Sequence, residues 1–250
     1  MAHQKGIITL DGTLEGINFY IRKGKPVARK AGGGFTAKAI KTKPSMIRVR
    51  ETNNEFGHCS RVKKQFRLAL LPFLQMHHDP GLHGRMMRML QEIKQCDTVS
   101  ERGHRTVLRG LQTAMGRKLF TDFAFTSAGH VSAALNCECV YTPADFNFTL
   151  NNFDIRKIKF PTSATHVEIQ FGVLAFDFST LTTALHESQR LLLDQQSTGT
   201  HFLFSLQTTP DINVTLFAFC SIRFYQEVSG ETYVLKGEGA LHVSCLEVSP

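Results

Sequence analysis

The closest pair of thiols in the sequence is Cys137-Glu138-Cys139. In a strand, side chains repeat every two residues, so both sulfurs would lie on one face. A metal centre needs two further ligands, and no second closely spaced pair of Cys or His supplies them. The other four cysteines are scattered singly: Cys59, Cys96, Cys220 and Cys245. We therefore expect reduced, mostly buried thiols and no metal site.

Candidate acid–base residues are equally dispersed. His186-Glu187 and His201 would form a catalytic acid–base pair only if the fold brought them together. The simpler interpretation is that they are polar residues at the surface. Five aspartates occur singly at predicted strand ends, where Asp normally makes turns: Asp122, Asp145, Asp154, Asp177 and Asp194. The sequence lacks Walker A, GxGxxG, HExxH and GxSxG motifs. We predict that the protein is not an enzyme, has no cofactor and has no identifiable small-molecule substrate.

Basic residues are concentrated in the first half of the chain. Residues 1–118 hold 23 Lys and Arg against 8 Asp and Glu, whereas residues 119–250 hold 6 against 13, so the net charges are +15 and −7. Like charges repel at short range, and this density therefore implies an acidic partner. The predicted binding residues are Arg22, Lys23, Lys25, Arg29, Lys30, Lys38, Lys41, Lys43, Arg48 and Arg50.

Two partners would supply the negative charge. One is the acidic half of a neighbouring copy, and the other is nucleic acid bound through its phosphates. A merely solubilising basic face is the simplest alternative. Aromatic residues that stack on single strands are sparse here: Phe19, Tyr20 and Phe35. We predict a non-enzymatic structural subunit that assembles head to tail into a ring, tube, filament or phage-like particle, with nucleic-acid binding as the alternative.

Arg48 and Arg50 are the most specific part of this expectation. Two residues apart, they would share one face of an extended segment, and the guanidinium fork suits carboxylates. Glu51 and Glu55, four apart, would share a face at the start of a helix. We expect the arginines to pair with these glutamates or with acidic strand ends of residues 119–250, in the same or a neighbouring chain. Arginines solvated on a mobile arm are the alternative.

Three regions with different patterns predict an α+β protein. Residues 1–53 are expected to form a β-meander and a basic arm, residues 54–118 a helical layer, and residues 119–250 an antiparallel β-sandwich. The meander of residues 6–30 is too small to be stable alone and must pack on its own chain or on another. The arm of residues 31–50 lacks apolar periodicity and is expected to be flexible.

Apolar residues recur every three or four positions in residues 54–118, which predicts three helices. Asn53 or Asn54 would cap the first, Pro72 would interrupt it near its end, and the third would begin between residues 97 and 100. The apolar stripes are Val62, Phe66, Leu70 and Phe73 in the first helix, Leu82, Met86, Leu90 and Ile93 in the second, and Val107, Leu111 and Met115 in the third. One stripe per helix indicates a layer that lies against something larger.

Short alternating runs rich in Phe, separated by turn residues, are typical of the antiparallel β-sandwich that we predict beyond residue 118. The longest strand is predicted at residues 166–178, with a β-bulge at Gly172. Residues 180–194 fit either a helix or a strand. Further strands are expected at residues 201–207, 214–226, 233–236 and 240–248.

No segment is long enough to span a membrane. The longest apolar stretch, residues 68–74, is well short of the ~18 residues required. The N-terminal residues do not show the pattern of a secretory signal peptide. We therefore expect no membrane partner and a location in the cytoplasm or in a particle assembled there.

Several motifs extend along nearly the whole chain: Gly6-Ile-Ile-x-Leu-x-Gly-Thr-x-x-Gly-Ile-x-Phe-Tyr20, Val27-Ala-Arg-Lys-x-Gly-Gly33, Arg48-x-Arg-Glu-x-Asn-x-Glu-Phe-Gly57, Asp97-Thr-x-Ser-x-Arg-Gly-x-Arg105, Phe224-Tyr-Gln-Glu-Val-x-Gly230 and Tyr233-x-Leu-Lys236. Together they resemble an uncharacterised protein family of Bacteroidota genomes. The resemblance implies that the N-terminal hairpin and basic arm occur together with the sandwich, and it implies no catalytic residue. By analogy of architecture alone, many virion and filament subunits also place a basic arm before a β-sandwich.

Overall fold

The chain divides into two units, Met1–Arg50 and Glu51–Pro250. The computed structural model describes residues 2–6, 8–32, 35–75 and 78–250. Parts of the predicted meander, arm and helix break lie outside the described residues: Ile7, Gly33, Gly34, Met76 and His77. The helical layer and the C-terminal sheets share hydrophobic cores within the second unit, so we describe them together.

Short strands joined by tight turns give the first unit a four-stranded antiparallel sheet in the order β1-β4-β3-β2. Lys23 and Gly24 both have positive φ (49° and 74°), as a two-residue hairpin requires. The segment expected to be a flexible arm instead forms a helix whose N-cap is Thr36, followed by a 3₁₀ turn. The elements are β1 (Ala2–His3), β2 (Gly12–Leu14), β3 (Ile17–Arg22), β4 (Lys25–Lys30), α1 (Ala37–Thr42) and the 3₁₀ turn Pro44–Met46.

The first long helix begins at Ile47 rather than at the expected Asn53 or Asn54, because the preceding 3₁₀ turn leads directly into it. The third predicted helix begins later than expected, at Val107, where the Thr106 side chain caps it. A short helix, α7, also lies in the region that we expected to be strands only. The helices are α2 (Ile47–Ala69), α3 (Leu71–Leu74), α4 (Leu82–Gln95), α5 (Val107–Leu111), α6 (Ala114–Thr121) and α7 (Val131–Leu135).

The remaining chain forms two antiparallel sheets. The larger has the order β12-β11-β7-β8, with β13 paired to β11 and β9 paired to β7, and the smaller has the order β10-β6-β5. Residues 180–194, left open by the sequence, contribute two strands. The strands are β5 (Glu138–Thr142), β6 (Asn147–Asn151), β7 (His166–Asp177), β8 (Thr182–Glu187), β9 (Leu191–Asp194), β10 (Phe202–Phe204), β11 (Thr215–Val228), β12 (Glu231–Val234) and β13 (Leu241–Ser249); a 3₁₀ turn spans Ile155–Lys157.

The larger sheet is covered on both faces. Leu174, Phe176 and Phe217 face a core shared with helices α2, α4, α5 and α6. The alternate side chains, such as Phe171 and Ile222, face the smaller sheet and α7. The α+β fold with a C-terminal β-sandwich is therefore confirmed, and the helices form a third layer on the outside of the larger sheet.

The predicted bulge at Gly172 is wrong. Pairing of β7 with β11 runs without interruption through Gly172, and the irregularity lies between Ala218 and Phe219, where β11 pairs with β13. A Cβ at Gly172 would lie 3.0 Å from the Phe73 ring. The glycine therefore allows α3 to approach the sheet closely.

Candidate assembly surface and buried polar clusters

The sheet of the first unit has an apolar face. Alternation in β3 places Ile17, Phe19 and Ile21 on the same side, and the register sets Leu14 opposite Ile17 and Pro26 opposite Ile21. Three of these side chains are largely exposed: Leu14 (61%), Ile21 (65%) and Ile17 (44%). This face is therefore open to solvent in the single chain.

The opposite face of the same sheet carries positive charge. Arg22 lies opposite Lys25, and the guanidinium of Arg29 lies 5.5 Å from the centre of the Tyr20 ring. Val27 is the one buried hydrophobic residue among the described residues of the first unit. Of the predicted binding residues, the structure thus brings Arg22, Lys25 and Arg29 together on one face, while Lys23 lies in the turn and Lys30 projects from the other face.

The other predicted binding residues lie on helices. Lys38 and Lys41 belong to α1, Lys43 follows its end, and Arg48 lies in the first turn of α2. The extended geometry expected for Arg48 and Arg50 is therefore wrong. Arg50 donates to the carbonyl oxygens of Ile40 (2.6 Å) and Lys43 (3.1 Å). These carbonyls carry the partial negative charge of the end of α1, so Arg50 stabilises the end of this helix.

Glu55 is the centre of a buried ionic cluster in the second unit. Its Oε1 accepts hydrogen bonds from the backbone NH of Gly103 and from Arg105 Nε, both at 2.8 Å. Its Oε2 accepts from Arg105 Nη2 (3.0 Å) and from the buried ammonium of Lys94. Both carboxylate oxygens are therefore engaged, so this cluster holds the chain together and offers no free base.

The hydrogen bonds keep Glu55 ionised. Burial alone would raise the pKa of its carboxyl, but the bonds from Arg105, Lys94 and Gly103 outweigh burial and lower the pKa to about 2. The same contact raises the pKa of Arg105. Both groups are charged at neutral pH, as an ion pair with a structural role requires.

The cluster joins two segments that the sequence motifs had singled out separately, residues 48–57 and 97–105. A second link between them is the ion pair of Glu51 with Arg102, at 3.2 Å. Gly103 has a φ of +95°, and a Cβ there would lie 2.9 Å from Glu51 Cγ. Sequence analysis missed these pairings, although both segments were visible as motifs.

The described cysteines do not form a metal-binding site. Among the described residues no group of three or more His, Cys, Asp or Glu has a geometry that holds a metal ion. All six cysteines are unpaired. A hydrogen bond from the Cys139 thiol lowers the pKa of Cys137, and burial raises the pKa of Cys59 to about 11. The closely spaced cysteines, Cys137 and Cys139, are both half-buried at the start of β5.

The dispersed acid–base candidates do not converge. His186 Nδ1 lies 2.7 Å from Thr208 Oγ1, whereas His201 Nδ1 lies 2.9 Å from Asn151 Oδ1. Asp154, Asp177 and Asp194 accept hydrogen bonds from residues two or three positions further on, as turn-forming residues do. Asp122 instead follows the end of α6 and pairs with Lys118, so its predicted place at a strand end is wrong.

Among the described residues, no helix is both long and apolar enough to cross a lipid bilayer. Comparison of the chain with protein-family models, with curated proteins and with solved structures gave no match.

Proposed function

We propose that this chain is a non-enzymatic structural subunit that assembles with copies of itself, head to tail, into a ring, tube, filament or particle in the cytoplasm. The observation that carries the proposal is the exposed apolar face of the first unit, formed by Leu14, Ile17 and Ile21. A small sheet with one apolar face needs a covering layer. Among the described residues of the first unit, none buries these side chains, and under this proposal the layer comes from another molecule.

Charge supports a second copy as that molecule. Residues 1–50 hold 11 basic and 2 acidic residues, a net charge of +9, whereas residues 119–250 carry −7. A basic surface that meets a different, acidic surface makes a heterologous contact, and such contacts close into rings or continue as filaments.

The test replaces two exposed apolar side chains, Leu14→Ser with Ile21→Ser. Because both are largely exposed, we expect the variant to fold normally and to assemble much more weakly. Light scattering and electron microscopy of the purified protein would measure this. The matched control is Leu192→Ser with Leu203→Ser, which removes exposed apolar side chains from the second unit and leaves assembly intact.

A wild-type protein that stays a monomer at micromolar concentration, from about 0.05 to 0.5 M salt, would overturn the proposal. Assembly that survives the Leu14 and Ile21 substitutions would show that this face is not the contact.

Nucleic acid is the second candidate partner, because the basic face of the sheet places Arg29 over an aromatic ring, Tyr20. Basic residues around an aromatic side chain are a common way to bind single strands. We expect Lys25→Ser with Arg29→Ser to weaken binding of single-stranded DNA, and Lys157→Ser with Lys159→Ser to leave it unchanged. Absence of any mobility shift at about 0.05 M salt would remove this candidate.

A further inference from the structure

The outer face of α2 in the second unit lines a groove of about 680 Å³. No Asp or Glu lies among its described lining residues. The apolar side chains are half exposed, at 54%, 51% and 55% for Phe56, Leu68 and Leu71. Three exposed cations flank them on the same helix: Arg61, Lys64 and Arg67. Apolar and cationic groups in one groove fit an acidic segment with apolar side chains.

Lys63 strengthens this assignment, because it is buried in the wall of the groove without an acidic partner. Its side chain is 6% exposed, and its Nζ lies 3.1 Å from His83 Nε2. The described residues give Lys63 no ion pair. A buried ammonium without a counter-charge is costly, and an incoming carboxylate would relieve that cost.

A segment with the required chemistry protrudes from the same fold, in the hairpin between β11 and β12. Val228 lies opposite Glu231 and Gln226 opposite Tyr233, so these four side chains share one face of the hairpin. Val228 and Tyr233 are 50% and 53% exposed, and the Tyr233 hydroxyl donates to Glu231. This face therefore presents two apolar groups around a carboxylate.

We infer that the hairpin of one copy, residues 226–233, docks in the α2 groove of the next copy. Val228 and Tyr233 contact the apolar side chains of the groove, and Glu231 faces its cations. The groove and the hairpin are different surfaces of one chain, so each copy receives one neighbour and contacts another. We base this contact on the proposed self-assembly, and we assign to it two surfaces of the second unit, the α2 groove and the hairpin.

Charge exchange tests the contact. The groove variant is Arg61→Glu with Arg67→Glu, and the hairpin variant is Gln226→Lys with Glu231→Lys, whose side chains share the hairpin face that carries Val228 and Tyr233. Arg61, Arg67 and Glu231 are exposed, and Gln226 is partly exposed. We expect each variant alone to weaken association at least tenfold in sedimentation velocity at about 0.1 M salt. The chain that carries all four substitutions should regain association, because it restores opposite charges across the contact.

The matched control is Lys157→Glu with Lys159→Glu, which changes net charge as much as the groove variant does and lies elsewhere; it should associate like wild type. Groove and hairpin variants that assemble like wild type would overturn this contact while the proposed function stands, and would leave the groove to another acidic partner. Loss without recovery in the fourfold variant would also overturn it. A monomeric wild type would overturn both proposals.

Discussion

At the scale of single residues, Glu55 is a buried charge that ties together separate parts of the second unit. Its carboxylate accepts hydrogen bonds from three different groups, and its side chain is 4% exposed. The partners Lys94 and Arg105 lie 39 and 50 residues further along the chain. One buried carboxylate therefore fixes α2 to α4 and to the loop that precedes α5.

Glu55→Gln should destabilise the protein by roughly 3–5 kcal/mol, the usual cost of breaking a buried ion pair by removing one partner. The buried Lys94 and the partly buried Arg105 would lose their counter-charge. Urea denaturation at neutral pH measures the loss. The control is Asp122→Asn, whose exposed pair with Lys118 should contribute only about 0–1 kcal/mol. Equal effects of the two substitutions would contradict a special role for Glu55.

The loss in free energy of unfolding caused by Glu55→Gln should depend on pH. The pKa of Glu55 falls from 4.5 to about 2 in the folded chain, so its stabilisation is fully present above about 4.5 and is lost as pH falls towards 2. The free energy of unfolding of wild type should therefore approach that of the variant across this window. Other carboxyls with lowered pKa, such as Asp97, occur in both proteins and cancel in the difference. A difference that stays constant down to pH 2 would refute the assignment.

Little of this cluster could be predicted from the sequence. The short-range rule that pairs residues three or four apart applies within a helix, whereas Arg105 reaches Glu55 from a separate loop. The turn-forming aspartates were predictable because their partners lie two or three residues away. The partners of Arg50 were predicted wrongly for a related reason. Its acceptors are backbone carbonyls that are brought together only once α1 has formed.

At the scale of elements, the helices α4, α5 and α6 pack closely enough to require glycine. A Cβ at Gly110 would lie 2.0 Å from the carbonyl oxygen of Ile93, and one at Gly116 would lie 2.0 Å from that of Gly110. Both distances are far shorter than a real contact, so backbone would have to move. Packing of these short helices thus depends on backbone-to-backbone approach as well as on apolar side chains.

Gly110→Ala should destabilise the second unit by about 1–3 kcal/mol or more, as overpacking of a core does. Thermal unfolding measured by circular dichroism would show the effect. Gly84→Ala is the control, because it lies in α4 with open space around its Cβ position. That substitution should be neutral or stabilise by up to about 1 kcal/mol. If Gly110→Ala left the melting temperature unchanged, α5 could shift relative to α4 at no cost in stability, and the close packing of these helices would not matter.

The elements that were predicted well are those with local, periodic signals. The long strand expected at residues 166–178 occurs at His166–Asp177, where apolar residues alternate with polar ones up to Phe171 and occupy both faces from Val173 to Phe176. The arm was missed because Lys and Arg favour helices without giving an apolar stripe, so α1 and the first turn of α2 left no periodicity to read. The start of a helix also depends on its cap, and the 3₁₀ turn before Ile47 is not visible in composition.

At the scale of the whole molecule, the two units differ in what makes them stable. Both hydrophobic core clusters consist of described residues from the second unit only. The first unit contributes an amphipathic sheet with three exposed apolar side chains instead. The chain therefore combines a second unit that has its own hydrophobic cores with a sheet that, under the proposed function, gains its missing layer on assembly.

Deletion of residues 1–46 should leave a folded protein that assembles much more weakly, because it removes the apolar face of the first unit and keeps the contact between hairpin and groove. All residues of the two hydrophobic core clusters and the whole of α2 remain, so the melting temperature should stay within a few degrees of that of the full-length protein at low concentration. Differential scanning calorimetry and light scattering measure the two properties. A deletion variant that is unfolded, or that assembles as strongly as the full chain, would contradict this division of roles.

The double coverage of β7 and β11 has a consequence for hydrogen exchange. Residues 167–176 of β7 and 215–224 of β11 are buried on both faces and paired on both edges, so their amides exchange only when the whole second unit opens. Their protection therefore measures the global free energy of unfolding. A neighbour that binds only the folded chain adds its binding free energy to that quantity. Deuterium uptake at these interior amides should thus slow as protein concentration rises, although no neighbour touches them, and the slowing reports the free energy of assembly.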